Sequence, residues 1–262
     1  MEEVTLGFVG GGRVTALLLR GLKRSGALPA RIVVADPNAA GLRKMEAIAP
    51  GVIRCTADNR EVAAAHVVFL AVHPPVAPQV LAELRDQMAE RSILVSPVPT
   101  IPMARLTAGL GGFTRLVRMT PNAPSILGQG YNPVVFHPSV GSEDRQRLLG
   151  LFGHSGPSPE VEERLLEAYA ILTAMGPTCF WFQWLEMQRL AGLFGLEEST
   201  AKTAIAAMLH GAVAALFESG SSPAEVLDLI PVHPLKDQEE SIRQIISAKL
   251  TGVHRKLTGS AP

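Results

Sequence analysis

Cysteine is scarce in this chain of 262 residues. Cys55 and Cys179 are the only two and lie far apart, which argues for a reducing compartment and against a disulfide scaffold. A charge excess is missing too: Lys plus Arg and Asp plus Glu each number 24. Nothing in that balance recruits nucleic acid or an anionic membrane. No run reads as an uninterrupted apolar span of membrane length. The opening MEEVTLGFVGGG starts acidic and passes straight into a strand pattern, unlike a signal peptide. The seven histidines are scattered, without His-x-x-x-His or Cys-x-x-Cys spacing, so no metal site is expected. A Gly-x-Ser-x-Gly elbow, a lysine-bearing P-loop and internal repeats are absent as well. The expectation is a soluble, cytoplasmic protein acting on a small molecule.

What is present is a core-forming composition, 47% hydrophobic and 18% charged. Short Val- and Ile-rich runs at Val4–Val9, Arg31–Ala35, Gly51–Cys55, Val67–Val72, Ser92–Val95 and Arg115–Arg118 alternate with helical periods at Val14–Arg24, Ala39–Ala47, Val76–Ala89 and Met103–Gly109. That alternation predicts βαβ units and a mostly parallel sheet. After Gly156-Pro157-Ser158-Pro159 the pattern becomes helical: Glu162–Thr173, Thr178–Phe194, Ser199–Ser219, Ala224–Leu229 and Gln238–Leu257. Ser199 and Ser222 read as N-caps, the second followed by Pro at the first helical position. Ala201–Phe217 is apolar nearly all round, so it reads as a buried, closely packed helix. About a hundred residues of helix leave apolar faces to cover, which predicts an interface. The fold class expected is α/β, with a Rossmann-type domain over 1–158 and an all-α domain over 159–262.

The first strand runs into Gly10-Gly11-Gly12, followed by Arg13, Val14 and Thr15 at the start of a helix. Gly10 permits a tight turn, and Gly12 lets a pyrophosphate approach the backbone at the helix N-terminus. Thr15 takes the position where Gly or Ala is usual. Asp36 closes the second strand, where an acid binds ribose hydroxyls and favours NAD over NADP. Arg43 in the next helix offsets that preference, and Asp36-Pro37-Asn38 also suits a helix cap. The cofactor is therefore NADP or NAD.

Several segments together resemble pyrroline-5-carboxylate reductase. They are Gly7–Thr15 with Gly21-Leu22, Asp58-Asn59 before Glu61-Val62, Val67–Pro74, and Arg118-Met119-Thr120-Pro121-Asn122-Ala123-Pro124 with Gly128 and Gly130. Gly176-Pro177, Ser219-Gly220, Pro223 and Asp228 carry the likeness into the helical part. The resemblance implies a helical domain that intertwines with its partner in a homodimer, and hydride delivery from a nicotinamide to a cyclic imine. It implies cofactor contacts from Asn59, Ala71, Val72, His73 and Pro74, besides Gly10, Gly11, Gly12, Arg13, Val14 and Asp36.

The departures lie elsewhere. Where the family has a Ser-Pro-Gly-Gly-Thr-Thr loop, this chain reads Val232-His233-Pro234-Leu235-Lys236-Asp237. Pro234 removes an amide donor and Leu235 adds bulk. The family's Ser-Gly-Ser-Gly-Pro-Ala-Tyr segment appears as Thr173–Cys179, its Ala-Val-Lys-Pro turn as Ala71-Val72-His73-Pro74, and its small residues after Ser96 as Pro97-Val98-Pro99. The candidate catalytic residues are Asn122, His233 and Lys236. Asn122 either faces the nicotinamide or holds its own turn. His233 donates a proton and Lys236 neutralises a carboxylate, unless both are solvated loop residues. His73 contacts the cofactor or caps a strand end. Trp181, Phe182 and Trp184 read as core or dimer interface before a substrate box.

Overall fold

The apolar runs pair into one seven-stranded sheet in the computed structural model, which describes residues 4–259. The strands are β1 (Thr5–Val9), β2 (Arg31–Ala35), β3 (Ile53–Thr56), β4 (Val67–Leu70), β5 (Ile93–Ser96), β6 (Leu116–Met119) and β7 (Val134–Phe136). Their order is β3-β2-β1-β4-β5-β6-β7. All pairs are parallel except β6 with β7. Strands β4, β5 and β6 are buried at every residue, as crossover helices on both faces require. The crossover helices are α1 (Arg13–Arg24), α2 (Ala39–Glu46), α3 (Ala77–Leu84) and α4 (Met103–Gly109), while α5 (Ser142–Gly153) follows the last strand. The fold is the doubly wound, mostly parallel α/β arrangement expected, followed by helices. Strand β7 and helix α5 are additions to that expectation. β7 is too short, at three residues, to establish an alternating period.

The sheet has two unlike sides because strand side chains alternate. On one, Val117 and Met119 join Leu18, Leu19 and Leu22 of α1 and Leu148 and Phe152 of α5. On the other, Leu116 joins Val80, Leu81 and Leu84 of α3 and Leu106 of α4. Alternation gives Arg118 the face of Leu116, a charge in an apolar layer. It is 2% exposed, and removing water from a guanidinium demands anionic partners. Glu163 accepts from Nη1 at 2.8 Å and Glu167 from Nη2 at 2.6 Å. The same Glu163 oxygen accepts from the Met103 amide at 2.6 Å, at the first turn of α4. One ion cluster thus joins β6, α4 and the segment leading into α6 (Leu166–Tyr169).

The chain divides into two compact units. One takes the described residues through Ala174 with those from His254; the other is Met175–Val253. The second unit is helical, with α7 (Thr178–Leu193), α8 (Glu198–Glu218), α9 (Pro223–Asp228) and most of α10 (Glu239–Thr258). Ser222 caps α9 as expected, and Glu225 completes a capping box with it. Ser199 does not cap α8, which starts one residue earlier at Glu198 after Glu197. Within one chain α8 is not the buried helix its composition implies. Only Ala201 is buried, and Phe217 is 77% exposed, because too few apolar partners surround it in a single copy. Two helices nevertheless have the length and mean hydropathy of a membrane span, with charged residues interrupting each. Helical stretches Glu163–Leu193 and Glu198–Glu218 are long and apolar enough by length and composition, since helices apolar on most faces pass that test whatever covers them.

Replacing Arg118 by Ala removes the buried cation from two partly exposed carboxylates, so urea unfolding should show a loss of about 1–3 kcal/mol. A loss below about 1 kcal/mol, the level of an exposed ion pair, would refute the clamp.

Candidate functional site

Parallel pairing sends the loops after β1, β2, β4, β5 and β6 out of one edge of the sheet. The chain order reverses between β1 and β4, and ligands of doubly wound sheets bind at such a reversal, beyond the carboxyl ends of the strands. Two segments meet there. Gly10, at φ +102°, lies so close to the Ala71 carbonyl oxygen that a Cβ would overlap it. Only glycine satisfies both the left-handed backbone and that approach. The turn is further held by Gly10 N–H on Ala35 O at 2.7 Å and by Ala71 N–H on Val9 O at 2.7 Å. The Thr15 hydroxyl, fully buried, donates to Gly10 O at 2.5 Å.

Gly12 presents the opposite case. A Cβ added there meets nothing within 4 Å, so its missing side chain leaves open space at the end of α1. Gly12 is the N-cap and supplies no side-chain acceptor, and the first turn holds Arg13 with no acid. The helix N-terminus therefore keeps its partial positive charge and its free amides, which suits a phosphate group.

Asp36 reaches across from the end of β2. Its Oδ2 accepts from Gly11 N–H at 2.7 Å and its Oδ1 from Asn38 N–H at 2.7 Å. The helix cap is Asn38, whose Oδ1 accepts from Ala40 and Gly41. Asp36 thus ties the glycine turn to the β2–α2 loop while its negative charge stays at the strand ends. Asn59, in the turn Asn59–Val62 that follows β3, donates to Glu83 Oε2 at 2.8 Å. That bond, helped by Gln79, holds the Glu83 carboxyl below the usual carboxylate range. Ala71, Val72, His73 and Pro74 leave β4 beside Gly10; His73 is exposed, and its carbonyl accepts from Val76 at the approach to α3.

Asn122 follows β6 and is buried, 7% exposed. Its side-chain amide donates to Thr173 O at 3.1 Å, and its Oδ1 accepts from Tyr131 N–H at 3.1 Å. Its backbone N–H donates to Asn132 Oδ1, which also takes the Ser125 hydroxyl at 2.9 Å. Both ends of the amide are therefore engaged within the protein, and the geometry is that of a residue holding its turn. His233 and Lys236 belong to the second unit, on an exposed segment. The His233 ring bonds locally to Ile230 O at 2.6 Å. Trp181 and Trp184 of α7 line a groove with Ile205, Ala206 and Leu209 of α8. Asn132, Ser125, Glu163 and Glu167 escape sequence reasoning because their partners are distant in the chain. A charge inside the apolar run Leu116-Val117-Arg118-Met119 is the one available signal for the ion cluster.

Comparison with known proteins agrees with this geometry. Residues 5–100 match the family described as NADP oxidoreductase, coenzyme F420-dependent. The chain is 27% identical to the pyrroline-5-carboxylate reductase of Methanosarcina acetivorans, over 88% of this chain and 85% of that one. It is 27% identical to that of Escherichia coli K12, over 87% and 85%. Among solved structures it resembles a pyrroline carboxylate reductase of Plasmodium falciparum, solved with NADP bound. The TM-score is 0.83 at 19% identity, covering 99% of this chain and 98% of that one.

The two glycines separate folding from binding. Gly12→Ala should leave the unfolding free energy within about 0.5 kcal/mol and weaken dinucleotide binding by about ten-fold or more, measured by fluorescence titration. Gly10→Ala should lower both affinity and stability, the latter by about 1–3 kcal/mol. Equal behaviour of the two variants would contradict the assignment.

Proposed function

We propose that this chain, similar to pyrroline-5-carboxylate reductases over most of its length, is an NAD(P)-dependent oxidoreductase that reduces the C=N bond of a small cyclic imine. The observation that carries this reading is the glycine turn at the strand-order reversal, with α1 open behind it, in a chain similar to such reductases over most of its length. The residues fit a dinucleotide: Gly10, Gly11 and Gly12 with the amides of Arg13 and Val14 hold the pyrophosphate, and Asp36 faces the adenosine ribose. Asn59, Ala71, Val72, His73 and Pro74 line the path between the ribose and the nicotinamide. When bound, the nicotinamide supplies the hydride.

The protein's own part is orientation, exclusion of water and proton supply. Asn122 acts by position, keeping the Thr120–Ala123 turn at the end of β6 rigid through Thr173 and Tyr131. His233 donates a proton to the imine nitrogen, and Lys236 attracts the substrate carboxylate. Both come from the segment that replaces the family's Gly- and Thr-rich loop, which also favours a second reading in which the imine differs from pyrroline-5-carboxylate. The dinucleotide-binding module is assigned to residues 1–158 and the substrate and dimerisation module to 159–262, although the segment 159–174 and the end of α10 group with the first compact unit. The occupant of the exposed apolar surface on α7, α8 and α10 is a second copy of the chain, which makes the protein a homodimer in the cytoplasm. Phe180, Leu193, Phe217 and Ile245 support this, because exposed apolar side chains in such number mark an interface.

Addition of pyrroline-5-carboxylate to folded protein should oxidise NADPH or NADH, followed by loss of reduced-nicotinamide absorbance. Turnover with another cyclic imine alone would select the second reading, and no turnover with any imine would refute the reductase. Sedimentation equilibrium should give twice the chain mass; a monomer at micromolar concentration would count against the dimer.

A further inference from the structure

Two unusual features of the first unit face one cavity. Thr100, at φ +69°, is the one non-glycine residue with positive φ among the described residues, a conformation that β-branched side chains avoid. Arg118 keeps its Nε buried without a hydrogen-bond partner, although its terminal nitrogens hold Glu163 and Glu167. Backbone strain of this kind concentrates where a protein binds something. The cavity they share has a volume of about 520 Å³ and is lined by Thr100, Arg105, Arg118, Glu163, Glu167 and Lys256. It opens on the α4 side of the sheet, the face that Arg118 shares with Leu116.

Its charges are sorted by depth. The inner wall sets two carboxylates against one guanidinium, an excess of one negative charge. The rim carries Arg105 and Lys256, both exposed. Neither makes an ion pair or side-chain hydrogen bond among the described residues. Arg164, also at the edge, is taken up by Glu162 at 2.6 Å. A lone anion finds the rim cations but meets the inner carboxylates; a lone cation finds the reverse. A zwitterion satisfies both. We propose that this cavity binds a small amino acid, with its ammonium against Glu163 and Glu167 and its α-carboxylate against one of the two rim cations, Arg105 or Lys256. An acidic side chain on the ligand would engage the second rim cation.

Calorimetric titration of the full chain with L-aspartate and with succinate tests this, because succinate keeps both carboxylates and lacks the ammonium. Aspartate should bind, succinate about ten-fold more weakly, and R105A and K256A should each weaken aspartate by about ten-fold, the value of one charge-assisted hydrogen bond. Both substitutions fall on exposed side chains without partners, so unfolding midpoints and NADPH affinity should not change. No heat from aspartate at millimolar concentration, equal binding of succinate, or unchanged binding in the two variants would overturn the proposal. Failure of NADPH to bind would count against the reductase reading alone, since no residue of this cavity belongs to the glycine turn.

Discussion

The approach of Gly10 to the carbonyl of Ala71 is the constraint on which the rest depends. It sits where the strand order reverses, so two loops that leave the sheet side by side must share a space with no room for a Cβ. The crossovers on either side are ordinary βα units, whose helices cover opposite faces of the sheet. Once that turn closes, α1 starts with an uncapped N-terminus aimed beyond the sheet edge. Asp36 then pins Gly11 from the next strand. The open amides at this end of α1 are a product of backbone geometry, with side chains serving mainly to hold the backbone in place.

A second device works on the far side of the sheet. Arg118 exchanges water for two carboxylates, and Glu163 in turn satisfies an amide at the start of α4. Such a pair is a poor source of net stability compared with apolar packing. What it supplies is position. From Glu167 the chain runs on to Thr173, whose carbonyl returns to Asn122, three residues beyond the strand after Arg118. The turn that follows β6 is therefore fixed at both ends by polar contacts of long sequence separation, which a deviation at either end would loosen.

Much of the fold was legible in the residues. Short Val-rich runs such as Val67–Leu70 with helical spacers leave little choice but a parallel sheet, and the glycine turn is recognised by its strand-turn-helix setting. Ser222 announced itself as an N-cap, because that signal is local. The rest is not local. Nothing within three residues of Asn122 foretells Thr173 as a partner, and β7 is too short to display a period. Composition alone also misjudged α8: small and apolar residues imply burial, but not whether the covering surface comes from the same chain. His233 and Lys236 stand on an exposed segment, where the His233 ring bonds locally to Ile230 O.

The account stands most directly on whether a dinucleotide binds at the glycine turn. Isothermal titration of the purified protein with NADPH and NADH should give one site per chain for at least one of them, and that heat should fall sharply as salt screens the phosphate. Folded protein that binds neither would contradict the assignment of the site, whatever activity it is later found to have.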